Sequence, residues 1–417
     1  MELNNSLLNL LKNPLKRLIG KNIIIANSCN SEAQNVVKWF DFTEEDLNAS
    51  QTITIKKKEF IKIKSIIWFI PEFDNPFWGG IYTILRFADY LKSKKDIQNY
   101  FVVIGDVQRD KISVAIGKAF PSLKNDVLIL KSEQEMYKIA EVDATICTLW
   151  STAYHSLKFN KTGRKFYFIQ DYETLFYPAG SESALVDSTY RFGFYGIANT
   201  MTIRNIYKCE YNGIAEYFNP CVDREVFFPD LKKEAHEPYK VFFYGRPGHP
   251  RNGFELGIAA LRKLKAEMGE KVNIITAGSK WKPSDFGLDG IVENLGLLTY
   301  KETADLYRKC DLGLVMMFTR HPSYIPFELM ASGCLVVTNY NPANTWLLKD
   351  KENCLISFAS ASCLCSALEM GLTNIKQREK LVKNALNTIN DYDSWDKEIE
   401  KIYSFMCHPR KEIDEKE

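Results

Sequence analysis

Four short segments carry residue types suited to holding an anionic, hydroxyl-bearing ligand. In Phe243-Tyr-Gly-Arg-Pro-Gly-His-Pro-Arg-Asn-Gly253, two arginines, Arg246 and Arg251, share one loop between an apolar run and a helical pattern. Guanidinium forks in such a loop suit a diphosphate, whose charges are costly to desolvate without paired donors. In Arg320-His-Pro-Ser-Tyr-Ile-Pro-Phe-Glu-Leu-Met-Ala331, Glu328 stands early in an otherwise apolar helix. A carboxylate there needs a cation or hydroxyls to offset its burial, and a pair of ribose or sugar hydroxyls fits. The helix dipole alone accounts for a carboxylate at a helix start, but not for the Pro-rich entry. Gly79 and Gly80, at the end of Pro71-Glu-Phe-Asp-Asn-Pro-Phe-Trp-Gly-Gly80, would let backbone amides approach an anion at a helix N-terminus. Finally, Gln170, Asp171 and Glu173 follow the apolar run Lys165–Ile169, and His155 follows the preceding one. These four are candidates to face the same cleft from an acceptor side, although a lone histidine is more often a structural hydrogen-bonding residue.

Other chemistries lack their signatures. No Gly-x-Gly-x-x-Gly occurs, so a nicotinamide or flavin dinucleotide site has little support. The ten cysteines include no Cys-x-x-Cys pair, which removes zinc-ribbon and redox motifs and leaves thiols expected to be reduced and structural. The Asp391-Tyr-Asp393 run lies among C-terminal helical patterns rather than in a strand–turn site, and no metal is expected.

Positioning these turns requires strands that end beside one another. Ser65–Ile70, Tyr100–Ile104, Val127–Leu130, Ala144–Cys147, Lys165–Ile169 and Tyr195–Ala198 are short apolar runs separated by helix-length segments. Continuous apolar runs mark parallel strands covered on both faces. After a turn-rich segment at Pro220–Pro229 the alternation restarts. Strands are predicted at Lys240–Tyr244, Val272–Ala277, Ile291–Leu295, Leu312–Met316 and Leu335–Thr338, and helices near Gly253–Lys265, Lys301–Arg308 and Ile325–Ser332. The pattern predicts an α/β chain of two Rossmann-like, doubly wound domains facing each other across a cleft, with ligands beyond the carboxyl ends of the strands. The division is an N-terminal extension over 1–60, a first domain over 61–229, a second over 230–390, and a C-terminal helix over 391–417 crossing back to the first domain.

With 54 Lys+Arg against 52 Asp+Glu, the formal charge of +2 gives no reason to expect nucleic acid as a partner. No apolar stretch approaches the ~20 residues of a transmembrane helix. The polar, acidic Met1–Ser6 does not read as a signal peptide, so the expected compartment is the cytoplasm. A basic amphipathic segment over Leu7–Ile19, interrupted by Pro14, is expected to dock on the protein or to touch an anionic membrane face peripherally.

In order along the chain, these turns resemble the GT-B glycosyltransferases of family four. Gly245-Arg-Pro-Gly-His-Pro-Arg-Asn252 is similar to the family's Gly-Arg-x-x-x-x-Lys-Gly loop, with Arg246 and Arg251 on the basic positions. Pro326-Phe-Glu-Leu-Met-Ala-Ser-Gly-Cys-Leu-Val-Val337 is similar to its Pro-x-Glu-Ala-Met-Ala-x-Gly-x-Pro-Val-Val helix. Asn219-Pro-Cys-Val-Asp223 through Pro229 resembles the segment ending the first domain, and Gly79-Gly80 the family's glycine pair. Tyr167–Glu173, Phe176–Glu182, Tyr190–Gly193 and His321–Tyr324 resemble more closely the bacterial WsaF-type rhamnosyltransferases, which use dTDP-L-rhamnose on surface glycans. Two positions depart from the family-four pattern. Arg320 stands where a first glutamate is usual, eight positions before Glu328, and Gln170 replaces the histidine of a His-Asp pair.

The resemblance implies transfer of a sugar, with retention of configuration, from a nucleotide sugar to a hydroxyl of a glycan or lipid-linked glycan, without a cofactor or metal. Arg246 and Arg251 would stabilise charge on the leaving diphosphate, with Gly79 and Gly80 amides assisting and Glu328 holding ribose hydroxyls. Gly245, Gly278, Gly296, Leu298, Ser323 and Tyr324 complete the implied donor side; His155, Gln170, Asp171 and Glu173 form the acceptor side, Asp171 with a catalytic role. A donor 6-deoxyhexose is expected, because Gln170 removes a histidine able to contact a 6-hydroxyl, with Phe168 or Tyr172 covering the methyl. A nucleotide-sugar epimerase and a non-catalytic nucleotide-sugar-binding protein are the competing readings.

Overall fold

The computed structural model describes residues 35–56, 60–105, 107–124, 126–230 and 237–409; the Leu7–Ile19 segment and Cys29 lie outside them. Seven strands build the first sheet: β1 (Ser65–Phe69), β2 (Gln98–Ile104), β3 (Val127–Leu130), β4 (Val142–Cys147), β5 (Thr162–Ile169), β6 (Tyr195–Asn199) and β7 (Ala215–Phe218). Their order is β3-β2-β1-β4-β5-β6-β7 with every pairing parallel. The second sheet comprises β8 (Tyr239–Tyr244), β9 (Val272–Ala277), β10 (Val292–Asn294), β11 (Leu312–Val315), β12 (Leu335–Asn339) and β13 (Leu355–Ser357), ordered β10-β9-β8-β11-β12-β13 and also parallel. Both orders reverse beside the first strand, so each sheet has its switch point where β1 meets β4 and where β8 meets β11.

The apolar runs form strands because both of their faces are covered. Ile66 and Trp68 join a core with Ile84, Phe87 and Leu91 of the helix Gly79–Lys95, whereas Ile67 and Phe69 pack with Ala153 and Leu157 of the helix Trp150–Lys158. In the second domain Val241 and Phe243 face Leu261 of the helix Phe254–Met268, and Phe242 faces Leu306 and Leu329 on the opposite side. Such burial stabilises each large side chain by roughly 1.5–3 kcal/mol.

Three elements escape the sequence pattern. β7 and β13 are three or four residues long, too short for a periodic signal. The helix Glu44–Lys56 begins with Glu44, Glu45 and Asp46, whose charges favour a helix start, within a part of the N-terminal extension where the sequence pattern predicts no element. Leu47, with Phe40 and Phe42 ahead of it, packs on the Trp150–Lys158 side of the first sheet, so part of the N-terminal extension completes that domain's core. At the other end the helix Trp395–Cys407 leaves the second domain and buries Trp395, Ile399, Ile402 and Met406 in the first domain's core. The buried Arg164 guanidinium of β5 donates to the carbonyls of Met406 at 2.8 Å and of Cys407, holding the C-terminus of that helix.

Candidate functional site

The loop after β8 turns into the helix Phe254–Met268 at Gly253, which adopts φ +60. A Cβ at Gly253 would stand 2.5 Å from Phe318. Arg246 donates from Nη1 to the Tyr244 hydroxyl at 3.2 Å and from Nη2 to His249 Nε2 at 2.6 Å. His249 is kept neutral by burial and by Arg246 and Arg251, so it can accept that proton. Arg251 stacks its guanidinium over Phe176 of the first domain, 4.5 Å from the ring centroid. Burial depresses its basicity, and the nearby Asp171 opposes that effect.

Glu328 occupies the first turn of the helix Ile325–Ala331 and lines a cleft of roughly 1090 Å³ together with Gly79, Gly278, Leu298, Ser323 and Tyr324. No hydrogen bond to its carboxyl is formed by the described residues. Burial, and secondarily Asp223, raise its pKa to about 8. Gly278, at φ +110, admits the Tyr244 ring where a Cβ would approach to 2.5 Å, and its N–H donates to the carbonyl of Gly296 at 2.8 Å. Gly245 is covered by Trp281, whose indole N–H donates to its carbonyl at 3.0 Å.

From the first domain, the helix Gly79–Lys95 presents its N-terminus without a side-chain cap. A Cβ at Gly79 would meet the Tyr324 ring at 3.2 Å, and one at Gly80 would meet the Gln170 amide at 3.3 Å. Gly79 therefore admits close approach of the second domain, and Gly80 that of Gln170 from its own domain. The Tyr324 hydroxyl accepts from Asn199 Nδ2 at 2.9 Å and lies 2.8 Å from Thr83 Oγ1, joining the domains.

The acceptor-side cluster does not assemble as expected. Asp171 is buried and accepts from the Tyr172 N–H at 2.8 Å and, across the domain interface, from the Thr319 hydroxyl at 2.7 Å. Burial lifts its pKa to about 6 despite these donors. It is an interdomain contact, not a carboxylate open to substrate. Glu173, 2% exposed, turns inward; its Oε2 accepts from the Trp150 N–H at 2.7 Å and the Tyr167 hydroxyl at 3.2 Å. It thereby satisfies a backbone donor at the start of the helix Trp150–Lys158. His155 sits in the last turn of that helix and pairs with Glu133 at 2.7 Å beside Lys158, apart from Gln170 and Asp171. Of the four, Asp171 lies at the junction of the domains, and Gln170 packs beside Gly80. Phe168 is fully buried among Trp68, Phe87 and Phe218, and the Tyr172 hydroxyl meets that of Tyr211, so neither covers a sugar methyl as expected.

Family models for the WsaF N-terminal domain and the WsaF C-terminal domain match residues 69–202 and 239–369. The chain belongs to the WsaF family of GT-B glycosyltransferases. It is 37% identical over 393 residues to the O-antigen biosynthesis protein RfbC of Myxococcus xanthus, covering 92% of this chain but only 30% of that relative's length. Among solved structures, Anabaena HepE in complex with UDP and glucose superposes with a TM-score of 0.66 at 13% identity, over 82% of this chain and 99% of that one. WaaG, a glycosyltransferase involved in lipopolysaccharide biosynthesis, gives 0.60 at 15% identity, over 82% and 99%.

Within this WsaF-family chain, Arg86 and Thr319 had no sequence signal of their own, and His321 had only its place in the His321–Tyr324 segment. Arg86 pairs with Asp223, stacks on Tyr82 and Trp395 at 5.0 and 5.1 Å, and shares Asp223 with the Tyr300 hydroxyl, which donates at 2.9 Å. Asp223 falls in the segment that resembles the end of a GT-B first domain, which was the available hint. Thr319 and His321 flank Arg320; Arg320 is exposed whereas both neighbours are buried. Among the described residues no group of three or more His, Cys, Asp and Glu is placed to hold a metal ion, and Asp393 pairs instead with Lys397 at 3.0 Å. No helix among them is long and apolar enough to cross a membrane.

Proposed function

We propose that this chain transfers a sugar from a nucleoside diphosphate to a hydroxyl of a bacterial surface glycan, with dTDP-L-rhamnose as donor. The observation that carries the reading is the cleft itself. Its second-domain side offers the unpartnered Glu328 carboxyl, with Arg246 at its edge against the lining residues Tyr244 and Gly278; its first-domain side offers an uncapped helix N-terminus. In this reading Glu328 accepts from two ribose hydroxyls, and the nucleobase lies against Gly278, Gly296 and Leu298. Arg246 and Arg251 face the diphosphate.

The bond from the anomeric carbon to the diphosphate oxygen breaks with its electron pair going to that oxygen, the acceptor oxygen bonds to the carbon, and the acceptor proton passes to the departing diphosphate. Negative charge grows on the leaving oxygen, and preorganised guanidinium donors stabilise it. The contacts Thr319–Asp171 and Tyr324–Asn199 close the domains and exclude water that would hydrolyse the donor. The reaction as proposed is retaining and uses no metal. The relatives agree in kind: RfbC is an O-antigen biosynthesis protein, and the HepE structure holds UDP and glucose.

The test is competition among dTDP-L-rhamnose, UDP-glucose and GDP-mannose in one transfer assay, with EDTA and without. The reading expects preference for the deoxysugar donor and no effect of EDTA. Preference for a 6-hydroxylated donor refutes the rhamnosyl assignment; release of epimerised sugar without an acceptor refutes transfer.

A further inference from the structure

The loop from β11 to the helix Ile325–Ala331 turns one imidazole into the domain interface. His321 is 7% exposed and lies against Tyr324, with ring centroids 5.9 Å apart. Its Nδ1 accepts the Ser323 N–H at 3.0 Å, a contact made possible by Ser323 at φ +67. A neutral imidazole that accepts at Nδ1 carries its proton on Nε2. Burial and the charge of Arg251 hold the ring's pKa at about 3, so this tautomer persists throughout the working pH range. Yet Nε2 has no hydrogen-bond partner among the described residues, and it is buried. A buried donor left unpaired in a folded protein calls for an explanation.

The surroundings narrow what would pair with it. Arg251, the charged neighbour, makes no side-chain hydrogen bond with any described residue and packs only its guanidinium face on Phe176. The nearby carboxylates are engaged elsewhere: Asp171 accepts from Tyr172 and Thr319, Glu173 from Trp150 and Tyr167. The Phe318 N–H donates to the Arg251 carbonyl at 2.9 Å, which ties the arginine's loop to the one that carries His321; two donors without acceptors on these joined loops fit an anion with several oxygens. A third cation beside Arg246 and Arg251 would add like-charge repulsion, whereas a neutral imidazole adds a directed donor without charge.

We propose that His321 is a phosphate-binding residue, its Nε2–H donating to an oxygen of the β-phosphate of the donor diphosphate that Arg251 also faces. This rests on the nucleotide-sugar reading above. It also gives the exposed Arg320 and the buried His321 opposite roles: the side chain at the family's first-glutamate position turns outward, and its neighbour takes the inward place.

Calorimetry with dTDP, UDP and GDP, each against its monophosphate, tests it in the full chain and in His321→Phe and His321→Gln. For whichever nucleoside binds best, the Phe variant should weaken the diphosphate by about tenfold or more, as expected for a lost hydrogen bond to a charged group. The monophosphate should be unaffected, and Gln, which keeps a donor near the position of Nε2, should recover much of the loss. In the wild-type chain, the His321 Nε2–H resonance should move downfield on adding the diphosphate and stay in place with the monophosphate, which tests the contact even if the Phe variant does not fold. Equal losses for both nucleotides, or a folded Phe variant with undiminished diphosphate affinity, overturns the assignment while leaving the transferase reading intact. A wild-type chain that binds none of the three diphosphates overturns both.

Discussion

If Glu328 grips donor hydroxyls as a carboxylate, donor affinity must depend on pH in a way that one substitution abolishes. In the free protein its pKa is raised to about 8 by burial and Asp223. Hydroxyls donating to the carboxylate favour the charged form, so binding lowers the pKa and releases a proton. Affinity therefore falls below its high-pH value by a factor of 1 + 10^(8 − pH), which is ~100 at pH 6, ~11 at pH 7 and ~1 at pH 9. At pH 7 this costs ~1.4 kcal/mol of binding free energy. The diphosphate bridge of a nucleotide sugar has no proton to lose in this range, so intact dTDP-L-rhamnose is the ligand to titrate. Glu328→Gln should bind it almost independently of pH: close to wild type at pH 6, where the carboxyl is protonated, and well below it at pH 9. Calorimetry in two buffers of different ionisation enthalpy should register nearly one proton released at pH 7 by the wild type and none by the variant. A pH slope that survives in Glu328→Gln, or binding without proton release, would refute the reasoning and leave Glu328 as a helix-start carboxyl.

Three further outcomes follow from the same geometry. Arg246→Ala and Arg251→Ala should each lower turnover strongly, since each removes charge-assisted contacts of about 1.5–3 kcal/mol; near-wild-type turnover in a folded double variant excludes the diphosphate role. Thr319→Val leaves buried Asp171 without its interdomain donor, and urea unfolding should show a loss of about 1–3 kcal/mol; an unchanged midpoint would show that the contact does not hold the domains. Glu173 has a folded pKa raised to about 8, so its contribution to stability is complete below the unfolded carboxyl range and is lost as pH rises through 8. Glu173→Gln should flatten the fall in melting temperature between pH 6 and 9, and an equally steep fall in that variant would assign the dependence to another group.

The strand positions were legible because these sheets are parallel and covered on both sides, so runs such as Ile66–Phe69 and Leu335–Val337 are apolar without interruption. The turns at Gly79–Gly80, Arg246–Arg251 and Glu328 were legible because glycines and charges interrupt those runs at strand ends. Short strands such as Leu355–Ser357 carry too few residues to show a period. His155, Asp171 and Glu173 were misplaced for a different reason: position after a strand says that a residue is near the carboxyl edge, but not which way its side chain turns. Glu173 turned inward because a backbone donor at Trp150 needed an acceptor.

Local sequence by itself thus determined two parallel α/β domains and the turns that flank the cleft, because these depend on the apolar pattern of each segment and on nearby glycines. Tertiary structure alone decided which polar groups remain unpaired. Asp171 and Thr319 are 148 positions apart, and Asn199 and Tyr324 are 125 apart. Whether a carboxylate is engaged or an imidazole is left with a free donor depends on partners brought from that distance by the docking of one domain on the other. Hydrogen-bond satisfaction is a property of the assembled interface, and no local pattern encodes it.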